Sequence, residues 1–209
     1  MNPSLAIDPQ AVIWSEPIEG DRPLLVLLHG RGANEADLAG IVPFLPREPV
    51  VASLRAPIAD GPGFSWYAMS TPERAAAFSL EVESAVRAVL DWIDTQPRPR
   101  AIGLLGFSQG GAMAIELLRT RPAGFAFAIV LSGFVIDGER SGDEELEVLR
   151  PPVFWGRGIH DTVISETRIE QASAWLPTHT TLDERTYNTA HSITDGELAD
   201  VATFMNANL

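Results

Sequence analysis

Gly106-Phe107-Ser108-Gln109-Gly110 carries the clearest chemical signal in this 209-residue chain. Glycine two positions before and two after a serine permits a strand-to-helix turn so tight that the hydroxyl stands clear of the backbone. With 17 Gly in 209 residues, chance would produce the pattern about 0.1 times. The apolar run Ile102–Phe107 precedes it and a helical pattern, Gln109–Leu118, follows, which is the context such a turn needs. A hydroxyl at a helix N-terminus also faces unpaired amides that favour developing negative charge. The bland alternative is a glycine-rich turn used only for packing. Motif and context together favour a nucleophile.

A serine needs a base to take its proton. Four histidines are available: His29, His160, His179 and His191. His29 closes an apolar run and reads as structural, His179 as part of an exposed loop, and His160 as the neighbour of Asp161. His191 lies in Tyr187-Asn188-Thr189-Ala190-His191-Ser192-Ile193, between the last strand and the last helix, where a loop can carry an imidazole over a sheet edge. It is the expected base.

The imidazole in turn needs an acceptor for its second nitrogen. Asp161, in Gly156-Arg157-Gly158-Ile159-His160-Asp161, follows a strand and falls between Ser108 and His191 in the chain. Asp137 and Asp183 compete less well, the first because it follows an earlier strand and the second because it lies within one. Two amides should hold the oxyanion: that of Gln109, beside the nucleophile, and that of Arg31, in the loop His29-Gly30-Arg31-Gly32. The Arg31 side chain either points to solvent or helps recognise a carboxylate or phosphate.

The elements that must position these residues alternate along the chain. Leu24–Leu28, Val50–Leu54, Ile102–Phe107, Phe127–Ser132 and Val153–Trp155 are short apolar runs suited to buried strands. Thr181–Thr186 adds a further strand, and Ala11–Ser15 suits a short edge strand. Phe78, Val82, Ala85, Val86, Val89, Trp92 and Ile93 recur at three and four residues, which predicts a helix over 73–95 with Pro72 at its start and Pro97 beyond its end. Thr194-Asp195-Gly196-Glu197 has capping-box spacing ahead of a last helix. Strands separated by helices imply an α/β fold, a mainly parallel sheet with helices on both faces, and ligands at the carboxyl ends of the strands. No linker or repeat divides the chain, so one domain over 1–209 is expected.

Charge and composition remove several function classes. There are 28 acidic and 15 basic residues, a net charge of −13, and every basic residue is Arg. That balance argues against nucleic acid and against stable association with an anionic membrane. Without Lys there is no Schiff base, and without Cys no thiol nucleophile or thiolate metal site. No two histidines share ligand spacing on one helix, so no metal or other cofactor is expected. Met1–Gln10 lacks the pattern of a secretory signal, and uncharged stretches such as Pro122–Ile136 fall short of the ~20 residues of a spanning helix. A cytoplasmic enzyme acting on a small molecule is the expectation, with room for a homodimer.

Together these segments make the chain resemble the carboxylesterase/phospholipase branch of the α/β-hydrolase family, which includes acyl-protein thioesterases and lysophospholipases. The resemblance runs from about Pro23 to the C-terminus. It rests on Leu27-Leu28-His29-Gly30-Arg31-Gly32, Arg55-Ala56-Pro57-Ile58, Ser65-Trp66-Tyr67, and the segments around Ser108, Asp161 and His191. It implies an α/β-hydrolase fold, a triad of Ser108, Asp161 and His191, oxyanion amides from Arg31 and Gln109, and Trp66 near the active-site mouth. Phe64, Trp66 and Met69 are candidates for an acyl pocket, with plain core as the equal alternative. Arg31 stands where the family usually has a small or apolar residue, and Thr162-Val163-Ile164-Ser165 lacks the proline often found after the acid. The connection from Phe134 to Pro151 has room for one helix at most, so no large lid is expected. The implied activity is hydrolysis of small carboxylic esters or thioesters through an acyl-serine. A lysophospholipase with the same triad and a catalytically silent ligand receptor on the same fold are the alternatives.

Overall fold

The structure, a computed structural model, describes residues 5–69 and 75–209. The first half contains β1 (Ile13–Trp14), β2 (Leu24–Leu28), β3 (Val50–Leu54), β4 (Ile58–Asp60), β5 (Gly63–Ser65) and α1 (Ala75–Asp94). Then follow β6 (Ile102–Phe107), α2 (Gln109–Thr120), β7 (Phe127–Leu131), α3 (Asp143–Leu149), β8 (Pro152–Gly158), α4 (Glu166–His179), β9 (Thr181–Tyr187) and α5 (Asp195–Asn208). Seven strands make one sheet in the order β1-β3-β2-β6-β7-β8-β9, parallel throughout except for the antiparallel edge strand β1.

The apolar runs are continuous because both faces of the sheet are covered. Leu24, Val26 and Leu28 pack into a core shared with α1, α2 and α4, whereas Leu25 and Leu27 pack into a second core with α5 and the 3-10 turn Leu38–Phe44. The two edge strands depart from this pattern, β1 with an exposed Ile13 and β9 with mostly exposed or half-buried residues. In β9, Asp183, Glu184 and Arg185 charge the edge, a protection against pairing with other chains.

The central strands fall where their apolar runs place them, and α1 buries the predicted face through Val82, Ala85, Val86, Val89, Trp92 and Ile93. Pro72, expected at its start, lies outside the described residues. The hairpin β4–β5, α3 and α4 are additions to the sequence reading. Helix α4 escaped notice because it buries little, namely Ala172, Leu176 and His179, and carries Pro177 in its last turn. His179 is therefore corrected from an exposed loop to a buried helix end, its ring stacked on Trp175 with centroids 3.9 Å apart. In the connection after Phe134, α3 is tied to α2 by Arg119, whose Nη2 lies 2.7 Å from Asp143 Oδ2. No large lid is present among the described residues, and no described helix is long and apolar enough to cross a membrane.

The capping box of α5 forms as its spacing requires: Thr194 Oγ1 accepts from the Glu197 amide at 3.2 Å, and the Glu197 carboxylate accepts from the Thr194 amide. The other carboxylate oxygen, Oε1, is buried without a partner. Burial pushes the Glu197 carboxyl up to about 7, with the nearby Asp200 charge adding to the rise and the Thr194 hydrogen bond opposing it. Between pH 4.5 and 7 the unfolded chain ionises this group while the folded chain still holds its proton, so stability falls as pH rises and the loss is complete above about 7. A rise from 4.5 to about 7 corresponds to roughly 3 kcal/mol. Glu197→Gln should therefore match the parent in urea unfolding at pH 4 and exceed it by up to that amount at pH 8. Parallel pH profiles for the two proteins would contradict this account of Glu197.

Candidate active site

Ser108 follows β6 directly and occupies a backbone conformation, φ 54° and ψ −114°, that side-chain-bearing residues rarely adopt. Such strain costs on the order of 1–3 kcal/mol and persists only where the surroundings enforce it. Here they do. The turn presses against the end of β2 so closely that a Cβ on Gly110 would lie 1.8 Å from the Leu28 carbonyl oxygen. The Ser108 amide donates to Leu131 O at 2.8 Å, fixing the turn to β7 as well.

His29, Ser108, Asp161 and His191 all follow the carboxyl ends of parallel strands, at one edge of the sheet. Asp161 and His191 meet: His191 Nδ1 is 2.6 Å from Asp161 Oδ2, with the carboxylate 2% and the imidazole 17% exposed. The loops that carry them are zipped together, Ile159 N donating to Tyr187 O at 2.9 Å and His160 N to Thr189 O at 3.0 Å. Gly158 makes this possible, since a Cβ there would stand 2.1 Å from Ala190 O. The second carboxylate oxygen of Asp161 accepts from the amides of Val163 at 2.8 Å and Ile164 at 3.1 Å. Burial alone would push this carboxyl upward, but the hydrogen bonds from His191, Ile164 and Val163 outweigh it, and its pKa lies below the ordinary value. Asp161 is thus held as a fixed anion against one imidazole nitrogen.

A cavity of about 440 Å³ opens over this edge, and Ser108, Gln109, Arg31 and His191 all line it. The His191 ring leans on Phe107, centroids 4.8 Å apart, beside the serine. Among the described residues the amides of Arg31 and Gln109 have no hydrogen-bond acceptor within the protein, as the oxyanion reading requires. The loop bearing Arg31 is braced by the β4–β5 hairpin through Gly32 N to Phe64 O and Phe64 N to Ala33 O, both 2.8 Å. The Arg31 side chain pairs with Asp60, Nε to Oδ2 2.9 Å, across the cavity rim.

The remaining sequence candidates divide. Met69 lines the cavity, whereas Phe64 and Trp66 are not among its lining residues. Trp66 is corrected from a mouth residue to a core one: it is fully buried, and its indole donates to His29 O at 2.9 Å beneath the loop. Phe64 sits under the Arg55 guanidinium instead, 4.7 Å from its ring centroid. His29 is structural, its Nε2 accepting from Ala56 N at 3.1 Å and its Nδ1 donating to Gly30 O at 2.7 Å; burial pushes its pKa down and keeps it neutral. His160 faces Asn188 on the surface. The sequence reading missed Tyr67, Phe78, Phe134 and Arg168 on the cavity wall. It also missed the Gln109 side chain, which ties Trp66 N and Tyr67 O to the start of α2 at 2.9 and 2.8 Å. Tyr67 stood within the quoted segment Ser65-Trp66-Tyr67 but without a role; Arg168 belongs to the unrecognised α4. Among the described residues no group of three His, Asp or Glu is arranged to hold a metal ion.

Sheet order, strand direction and the serine turn define the α/β-hydrolase fold, and solved structures agree. The chain resembles the Bacillus cereus carboxylesterase (20% identity, TM-score 0.74, covering 95% of this chain and 94% of that one). It also resembles esterase PE8 (24%, TM-score 0.75, covering 98% and 100%) and Zea mays acyl-protein thioesterase 2 (19%, TM-score 0.75, covering 94% and 98%). The profile of the Phospholipase/Carboxylesterase family matches residues 10–209, and the chain belongs to that family. Comparison with curated protein sequences gives no match.

Gly158→Ala should separate the two loops. We expect a loss of about 1–3 kcal/mol in urea unfolding and the weakening or disappearance of the low-field proton resonance of the His191 imidazole. A variant that unfolds like the parent and keeps that resonance would show that Gly158 does not set the loop approach.

Proposed function

We propose that this member of the family is a serine hydrolase of small carboxylic esters or thioesters, with Ser108 as nucleophile, His191 as general base and Asp161 as its orienting acid. The observation that carries the reading is the 2.6 Å Asp161–His191 hydrogen bond placed over the cavity that Ser108 lines. With Nδ1 committed to Asp161, the imidazole is held in the tautomer whose Nε2 has a lone pair for the serine proton. Ser108 Oγ attacks the acyl carbonyl as its proton passes to His191. The amides of Arg31 and Gln109 receive the oxyanion, and the serine turn sets the second of these at a helix N-terminus. Asp161, kept ionised by its three hydrogen bonds, stabilises the imidazolium. His191 then returns the proton to the leaving alcohol or thiol, and water repeats the sequence on the acyl-serine to release the acid.

Ser108→Ala should fold normally and hydrolyse a chromogenic short-chain ester on the order of 10³-fold or more slowly, with a residual rate from binding and the oxyanion amides. Asp161→Asn should lower kcat by a comparable order while changing KM little, because it removes orientation and charge rather than substrate contact. Undiminished hydrolysis by the folded serine variant would refute the assignment. A parent protein inert towards every ester and thioester would favour the silent receptor.

A further inference from the structure

Among the described residues three charged side chains line the cavity together with His191: Arg31, Asp60 and Arg168. Arg31 and Asp60 neutralise each other, which leaves Arg168. In a chain of net charge −13 most cations in the described structure have a carboxylate close by, as Arg55 has Glu35 and Arg121 has Asp94. Arg168 has none within 4 Å among the described residues. Its guanidinium instead lies over the Phe134 ring, 4.1 Å from the centroid. A guanidinium seated over a ring keeps its N–H donors for other partners, and an arginine's fork of donors takes a carboxylate through two parallel hydrogen bonds. Asp137 and Arg168 both line a smaller neighbouring hollow, but the carboxylate lies beyond ion-pair distance of the guanidinium.

A second polar group stands unused on the same wall. Tyr67 is 3% exposed, and its hydroxyl is buried with no partner. Burial, reinforced by the Glu116 charge, drives its pKa far above the ordinary tyrosine value, against the opposing charge of Arg168, so the phenol remains a donor. Leaving a buried hydroxyl unsatisfied is costly, and an acceptor on a ligand would recover that cost. The ring is held edge-on to Phe78, centroids 5.3 Å apart, and its carbonyl is fixed by Gln109, the residue after the nucleophile. Tyr67 is thus tied through its carbonyl to the residue after Ser108 and Arg168 is seated on Phe134, and Phe78, Phe134 and Ile164 add apolar wall to the same cavity.

We propose that Arg168 and Tyr67 form a subsite for a carboxylate carried by the substrate, so that this cavity selects esters bearing a second, anionic end. The inference rests on the hydrolase reading of Ser108 and names its substrate class. A half-ester of a dicarboxylic acid would bind with its free carboxylate on Arg168 and its ester carbonyl at Ser108. Water would then yield the free diacid and the alcohol. The carboxylate could equally reside on the alcohol portion, and the two placements are separable by experiment.

The test compares kcat/KM for an aryl hemiglutarate with that for the neutral aryl pentanoate, and for a butyryloxybenzoate with phenyl butyrate. The parent should favour at least one charged ester about tenfold or more over its neutral counterpart, and the pair that shows the preference identifies the side of the ester that carries the carboxylate. In Arg168→Met that ratio should fall towards one. Arg168→Lys should keep part of it, and Tyr67→Phe should reduce it several-fold. Equal use of charged and neutral esters by the parent, or a ratio unchanged in Arg168→Met, would overturn the subsite while leaving the Ser108 assignment standing. Calorimetric titration of the Ser108→Ala protein with glutarate supplies a readout independent of turnover: binding that is lost on adding Arg168→Met supports the subsite, and absence of binding before that change refutes it. Should no ester be cleaved at all, the hydrolase reading fails and the titration alone decides the subsite.

Discussion

The close approach of the loops after β8 and β9 is the constraint on which the site depends. Asp161 and His191 lie 30 residues apart in the chain and belong to different connections. They meet because the backbones pass at a separation that only Gly158 tolerates, and two amide hydrogen bonds then lock the loops together. The carboxylate does not act as a free surface charge. Two backbone amides hold one of its oxygens, which leaves the other aimed at a single imidazole nitrogen.

That loop contact lies at the edge to which the sheet also brings Ser108, the nucleophile of the proposed function. Parallel strands deliver all their carboxyl ends to one side, and burial on both faces makes the frame stiff. The strain at Ser108 is sustained by packing against β2 and β7, while the hairpin β4–β5 braces the loop that carries Arg31. Gln109 links the two halves. Its amide has no acceptor within the protein among the described residues, and its side chain fastens Trp66 and Tyr67 to the turn after β6. In the proposed function, chemistry and recognition share this one anchoring residue.

Much of this was legible in the residues themselves. Five apolar runs became central strands because short, continuous hydrophobic stretches have few other resting places than a doubly covered sheet. Ser108, Asp161 and His191 were legible because each follows a strand, which is a property of local pattern. The cavity wall was not. Arg168 sits on a helix whose apolar face is too thin to register, and whether an arginine is paired or left open depends on partners remote in sequence. Trp66 shows the reverse failure: the family resemblance implies a place at the active-site mouth, yet its indole finds the His29 carbonyl and goes under the loop. Proximity in sequence does not tell which side of a loop a ring takes.

The central claim is that the imidazole held by Asp161 activates Ser108. It is tested most directly by reacting the folded protein with a fluorophosphonate and locating the adduct by mass spectrometry. The account predicts a single stoichiometric adduct on the Ser108 peptide, with the rate of its formation falling by orders of magnitude in His191→Ala. No adduct on the native protein, or labelling of Ser108 at an undiminished rate without His191, would contradict it.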